Sequence, residues 1–136
     1  MKRKILVDTS VWIEYFAGNP QADNIDILID DNRVCTNKII LCELIPFLKE
    51  KNQDKLIDLL YSIEEIPLEI RWEKIIEYQT KNLACNLRKI GIPDLIILDN
   101  VIKNDLGLFI FDKHFCLMQK LFNIKIYDEK KHEARG

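Results

Sequence analysis

Hydrophobic positions fall along this chain in short solid runs, separated by longer stretches in which they recur every three or four residues. Residues 4–8, Lys-Ile-Leu-Val-Asp, make the first run, closed by an acid and by Thr9 and Ser10. A run this short with no polar face predicts a buried strand that feeds a helix, with Thr9 or Ser10 as its cap. Val11, Trp12, Tyr15 and Phe16 follow at helical spacing until Gly18-Asn19-Pro20 stops the element. A second helix is predicted over 22–31, with Ile25, Leu28 and Ile29 inward, and a brief second strand over 33–36.

From 38 to 49 the chain is almost continuously apolar, and Pro46 must either kink this helix or begin a new one. An amphipathic helix is predicted over 54–63. Between 72 and 90, Trp72, Ile75, Ile76, Gln79, Leu83, Leu87 and Ile90 repeat at three and four, which predicts one long helix closed by Gly91. Ile92-Pro93-Asp94 opens the next helix, through 102. Residues 108–111 read as a third strand ending in Asp112, and 125–127 as a last one. Short strands alternating with helices call for parallel pairing with helices on both faces, so the fold class is α/β. At 136 residues there is room for one domain, placed at 1–127, with a charged tail at 128–136 expected to fray.

Composition narrows the picture. With 48% of residues hydrophobic the chain can bury a core, which excludes disorder through low hydrophobicity. The formal charge is −2, so a broad basic surface for holding nucleic acid is not expected, although a nucleic acid bound briefly as substrate is compatible. Cys35, Cys42, Cys85 and Cys116 form no C-x-x-C pair and sit among apolar neighbours, so they read as small buried hydrophobes in a reducing cytoplasm. Neither a signal-peptide core nor a membrane span is legible, which predicts a soluble intracellular protein.

Four acids carry candidate chemistry. Asp8 and Asp112 each follow a predicted strand, and open parallel sheets form their sites beyond the carboxyl ends of the strands. Asp94 begins a helix, where a carboxylate is favoured by free N–H groups; taken alone it reads equally as an ordinary first-turn acid. Glu43 interrupts a markedly apolar helix, so it should face a cation, a metal or solvent at the edge of the core; the plainer reading puts it on a single polar stripe. Carboxylates brought together repel unless protonated or neutralised, and an all-oxygen set suits a hard ion such as Mg²⁺ or Mn²⁺. His114 and His132 have no partner at metal-ligand spacing, which argues against zinc.

The series Val7-Asp8-Thr9-Ser10-Val11-Trp12-Ile13, Ile40-Leu41-Cys42-Glu43-Leu44, Ile92-Pro93-Asp94-Leu95-Ile96-Ile97 and Phe111-Asp112-Lys113-His114-Phe115 resembles the PIN-domain toxins of bacterial VapBC toxin–antitoxin pairs. The likeness spans nearly the whole chain and rests on the spacing of motifs that are individually weak. It implies a three-layer α/β/α domain around a central parallel sheet, a homodimer, a cognate antitoxin, and a metal-dependent endoribonuclease site. Asp8, Glu43, Asp94 and Asp112 occupy the family's four acidic positions, and the mechanism expected from them has Asp8, Asp94 and Asp112 hold Mg²⁺ or Mn²⁺ directly or through water while Glu43 helps orient or deprotonate the attacking water. Ser10 takes the place of a supporting hydroxyl. Ile110 stands where the family often has Thr, and Leu98, Asp99 and Val101 replace usual small residues, so that helix must pack differently.

Asp99 is about 140° around the helix from Asp94, which suggests a solvated or interfacial side chain. Trp12, Tyr15 and Phe16 read as core or dimer contacts more than as base-stacking groups, and His114 as a surface residue. Two other functions compete with RNA hydrolysis. Phosphotransfer enzymes of the haloacid-dehalogenase type also place an Asp after their first strand, but with a second Asp where this chain has Ser10. A catalytically weak PIN-like binding module in a regulatory complex is the other.

Overall fold

The computed structural model describes residues 2–127. The tail predicted at 128–136 lies outside them. Five strands, β1 (Ile5–Val7), β2 (Val34–Thr36), β3 (Glu64–Glu65), β4 (Gly107–Phe109) and β5 (Lys125–Ile126), form one sheet in the order β3-β2-β1-β4-β5. Every pairing is parallel. β1 lies at the centre, with Leu6 opposite Cys35 on one side and Leu108 on the other. All residues of β1, β2 and β4 are buried, as a sheet covered by helices on both faces requires. The fold is therefore the three-layer α/β/α arrangement expected.

The connections supply the outer layers. They are α1 (Thr9–Phe16), a 3-10 turn (Pro20–Ala22) and α2 (Asn24–Asp30) after β1, then α3 (Lys38–Glu50) and α4 (Asp54–Ser62) after β2. After β3 come α5 (Trp72–Ala84) and α6 (Ile92–Lys103), and after β4 the short α7 (Lys113–Cys116) and α8 (Gln119–Phe122). Trp12 is fully buried with Phe16 stacked on it at 5.6 Å, so the first helix uses its aromatics for the core. α6 is buried at every position from Leu95 to Val101, the pattern of a helix enclosed on all sides.

Several sequence expectations need correction. Of the two readings of Pro46 only the new helix is excluded, since α3 runs through it. The predicted 72–90 helix ends at Ala84, because Asn86 adopts the left-handed conformation (φ 64°). Its N–H donates to the Leu83 carbonyl, and that of Leu87 to the Asn82 carbonyl at 2.8 Å, closing the last turn. The inward stripe of α5 is Ile75, Tyr78 and Asn82, whereas Trp72, Ile76 and Leu83 face outward. β3 was not legible in the sequence. Of the cysteines only Cys35 is buried; Cys42 and Cys85 are exposed and Cys116 lies between.

Candidate active site

The strand order reverses between β1 and β4, since the chain builds outward first through β2 and β3 and then through β4 and β5. A crevice beyond the carboxyl ends of these two strands is where such a sheet holds its ligands. Asp8 follows β1 directly. Asp112 stands three residues beyond β4, because that strand stops at Phe109, short of the predicted 111.

Each acid is fixed by one oxygen. Asp8, and not Thr9 or Ser10, caps α1: its Oδ2 accepts from the Ser10 N–H at 3.0 Å and from the Ser10 hydroxyl at 2.7 Å. Asp112 caps α7 through Oδ1, which accepts from the His114 N–H at 2.8 Å. Asp94 sits in the first turn of α6 with Oδ2 accepting from the Gly91 N–H at 3.3 Å. Oε1 of Glu43 accepts from the Thr9 hydroxyl at 2.9 Å. The other oxygen of every one of these carboxylates accepts no hydrogen bond among the described residues.

The four groups feel one another. Burial pushes the Glu43 carboxyl above its ordinary range, and the charges of Asp8 and Asp94 push it further, outweighing the Thr9 hydrogen bond. Asp94 is raised by burial and by Asp112 and Asp8, against the lowering hydrogen bond from Gly91. Asp94 is thus coupled to both strand-end acids and Glu43 to Asp8 and Asp94. No set of three His, Cys, Asp or Glu side chains among the described residues converges closely enough to enclose an ion directly. The donor chemistry nonetheless suits Mg²⁺, which keeps several of its waters and takes only one or two carboxylates.

Two further contacts hold the acids in register, and neither was anticipated from the sequence in this form. Ser10 Oγ also accepts from the Phe111 N–H at 3.1 Å, tying Asp8 to the segment that carries Asp112. Asn37 caps α3 through Oδ1 to the Ile40 N–H, while its amide donates to Asn100 Oδ1 at 3.0 Å. That buried pair fastens the helix of Glu43 to the helix of Asp94. An Asn directly before an apolar helix is a readable cap signal, but its partner across the core is not. Beside Asp112 a cavity of about 430 Å³ opens between Ser10, Ile13, Asn19 and Phe111.

Asp99 is not solvated. It is 2% exposed and accepts from Arg71 Nε at 2.9 Å and from the Tyr78 hydroxyl at 2.7 Å. Burial raises its pKa, but Arg71 and Tyr78 together outweigh that and hold it below the ordinary range. His114 is on the surface, as expected.

Residues 5–121 match the PIN-domain family model. No curated protein matches the sequence. Among solved structures, VapBC2 from Rickettsia felis, bound to a DNA fragment from its promoter, superposes with a TM-score of 0.68 at 22% identity, over 91% of this chain and 96% of that one. DNA-bound VapBC from Salmonella typhimurium gives 0.73 at 17% identity, over 93% and 98%. VapC20 of Mycobacterium tuberculosis, a sarcin–ricin-loop-cleaving toxin, gives 0.59 at 17% identity, over 84% and 94%. At these identities the superpositions speak for the fold. Taken with the family match over most of its length, they show that this chain belongs to the PIN-domain family and carries the fold of its VapC-type toxins.

Proposed function

We propose that this protein is the toxin of a toxin–antitoxin pair, a Mg²⁺- or Mn²⁺-dependent endoribonuclease acting at Asp8, Glu43, Asp94 and Asp112. The observation that supports the proposal is that Asp8 and Asp112 follow the two strands between which the sheet reverses, that Glu43 and Asp94 feel the charges of these acids, and that each of the four has one oxygen fixed and one left over. Asp8, Asp94 and Asp112 would hold the ion, directly or through its waters, and when bound it would acidify a water and offset charge on the scissile phosphate. Glu43 takes the proton of the attacking water, a role suited by its raised affinity for protons. Ser10 keeps Asp8 oriented. PIN membership favours hydrolysis over phosphotransfer from Asp8, and Ser10 in place of a second Asp agrees.

The finer features rest on surface chemistry. Trp72, Ile76 and Leu83 form an exposed apolar stripe on α5, 58%, 61% and 44% accessible, which supports a homodimer. A concentrated acidic crevice on a chain of charge −2 supports an antitoxin that covers it with a basic side chain. No helix among the described residues is long and apolar enough to cross a membrane, and the proposed site of action is cytoplasmic RNA.

The test compares RNA ends, by sequencing, after controlled expression of the wild type and of Asp8→Asn. New ends at defined positions in the wild type only, with a purified variant slowed by about 100-fold or more, are expected from the roughly 3 kcal/mol of charge stabilisation that an ion supplies. Cleavage by folded Asp8→Asn at the wild-type rate would sink the assignment. Wild type that binds neither ion nor cuts RNA would favour the inert binding module.

A further inference from the structure

A second cleft lies beside the acids and has the opposite character. It encloses about 280 Å³ between Asn86, Leu87, Arg88, Lys89, Ile90, His114 and Leu117. One wall is the segment after α5, created where Asn86 stops that helix; the other is α7. Both walls lead straight into the acids, since Ile90 is followed by Gly91, whose N–H holds Asp94, and α7 is capped by Asp112. Arg88 and Lys89 are exposed and pair with no acid among the described residues; Arg88 is steadied only by Asn86 Oδ1, at 3.1 Å. Lys113 is likewise exposed and unpaired on the α7 side. Lys2, Arg3, Lys4, Lys38, Arg71 and Lys103 sit in ion pairs, while Lys49, Lys51, Lys55, Lys81, Lys120 and Lys125 also pair with no acid among the described residues, so what sets Arg88, Lys89 and Lys113 apart is their place beside the acids. Leu117, 56% exposed, and the half-buried Leu87 give the cleft an apolar floor.

Cations left uncommitted next to an anionic centre suit a polyanion that must approach that centre. An apolar floor between them suits the ribose and base faces of the same strand. We infer that this cleft holds the single-stranded RNA substrate next to the scissile bond, with Arg88 and Lys89 as positioning residues on its phosphates and Leu87 and Leu117 beneath a nucleoside. The inference rests on the ribonuclease reading above.

It is tested by fluorescence anisotropy of the full chain with a short labelled single-stranded RNA in EDTA, over a salt series. Arg88→Gln/Lys89→Gln is compared with the equal charge loss Lys49→Gln/Lys51→Gln at the far end of α3. The cleft pair should weaken binding on the order of tenfold near 0.1 M salt and flatten the log–log salt slope by about 1.4, roughly 0.7 per phosphate contact on a single strand. In cleavage its KM should rise with kcat nearly unchanged, and the remote pair should do neither.

Unchanged affinity and slope, an equal loss in the remote pair, or no RNA binding by the wild type would overturn the inference. So would weakened binding of a polyglutamate peptide with RNA binding intact, which would assign the cleft to an acidic protein. The two readings separate cleanly: inactive Asp8→Asn with a fully RNA-competent cleft variant removes the cleft alone. Active Asp8→Asn with a binding-deficient cleft variant removes the acid site alone.

Discussion

Replacing Tyr78 by Phe deletes one oxygen from the enclosed network between α5 and α6. The ring is retained, and with it the edge contact to Phe122 at 5.3 Å, so the hydroxyl is what the change measures. That hydroxyl donates at 2.7 Å to Asp99, a carboxylate 2% exposed. A hydrogen bond to a charged group contributes about 1.5–3 kcal/mol. With an unfolding entropy of about 2.1 cal/mol/K per residue, a chain of 136 residues loses roughly 3–4 °C per kcal/mol, so Tm should fall by about 5–10 °C at pH 7. Tyr78 remains a donor throughout, its pKa being raised to about 12 by burial and by Asp99. The pH dependence follows from Asp99, whose folded pKa is depressed below 3.8. Its stabilising contribution is present above the unfolded value and is lost as pH falls through the folded one, so the penalty of Tyr78→Phe should shrink below about pH 4. Urea titrations at pH 7 and in steps below pH 4 give both numbers. A loss under about 0.5 kcal/mol at pH 7, or one equally large in acid, would refute the account of this network.

Other outcomes follow from the same geometry. Ser10→Ala removes the bridge between Asp8 and the Phe111 N–H, and should lower cleavage about 10–100-fold, as loss of an orienting group near a metal does, while circular dichroism stays native. Glu43 has a raised folded pKa, so its charge costs stability at neutral pH and none below its unfolded pKa; Glu43→Gln should raise Tm at pH 7 without metal, lose that advantage near pH 4, and stop cleavage. Mn²⁺ at about 100 times its Kd should stabilise the wild type by about 2.7 kcal/mol and leave Asp8→Asn/Asp94→Asn unmoved, by calorimetry with and without EDTA. Ile76→Glu should convert a dimer to a monomer in light scattering and remove the concentration dependence of Tm, with native circular dichroism, since that side chain is 61% exposed in the isolated chain.

What the sequence made legible was set by how local each cause is. β1 and β4 announce themselves because a parallel strand buried on both faces is a solid apolar run, and β2 does so more faintly through Val34 and Cys35 between Arg33 and Thr36. β3 does not, because Glu64 and Glu65 carry no such pattern and are strand only through their pairing with Cys35 and Thr36. Leu87 and Ile90 continue the period of α5 past the point where Asn86 ends it, so a backbone signal lost to a side-chain one. Strand-end position pointed to Asp8 and Asp112, and an apolar setting to Glu43, whose partner turned out to be the Thr9 hydroxyl. Asp94 was suggested mainly by resemblance. Asp99 defeated the reading because its neutralising Arg71 is 28 residues away in sequence.

The sheet's two borders, β3 and β5, are two residues long each. On β3 the exposed glutamates are tethered, Glu64 to Lys4 and Glu65 to Lys38, each at 3.0 Å. A border that short and that charged gives another copy's strand almost nothing to hydrogen-bond, and brings carboxylate against carboxylate if it tries. Growth of this protein into ribbons or fibrils by sheet extension is thereby discouraged, which leaves the helical faces for the dimer proposed above.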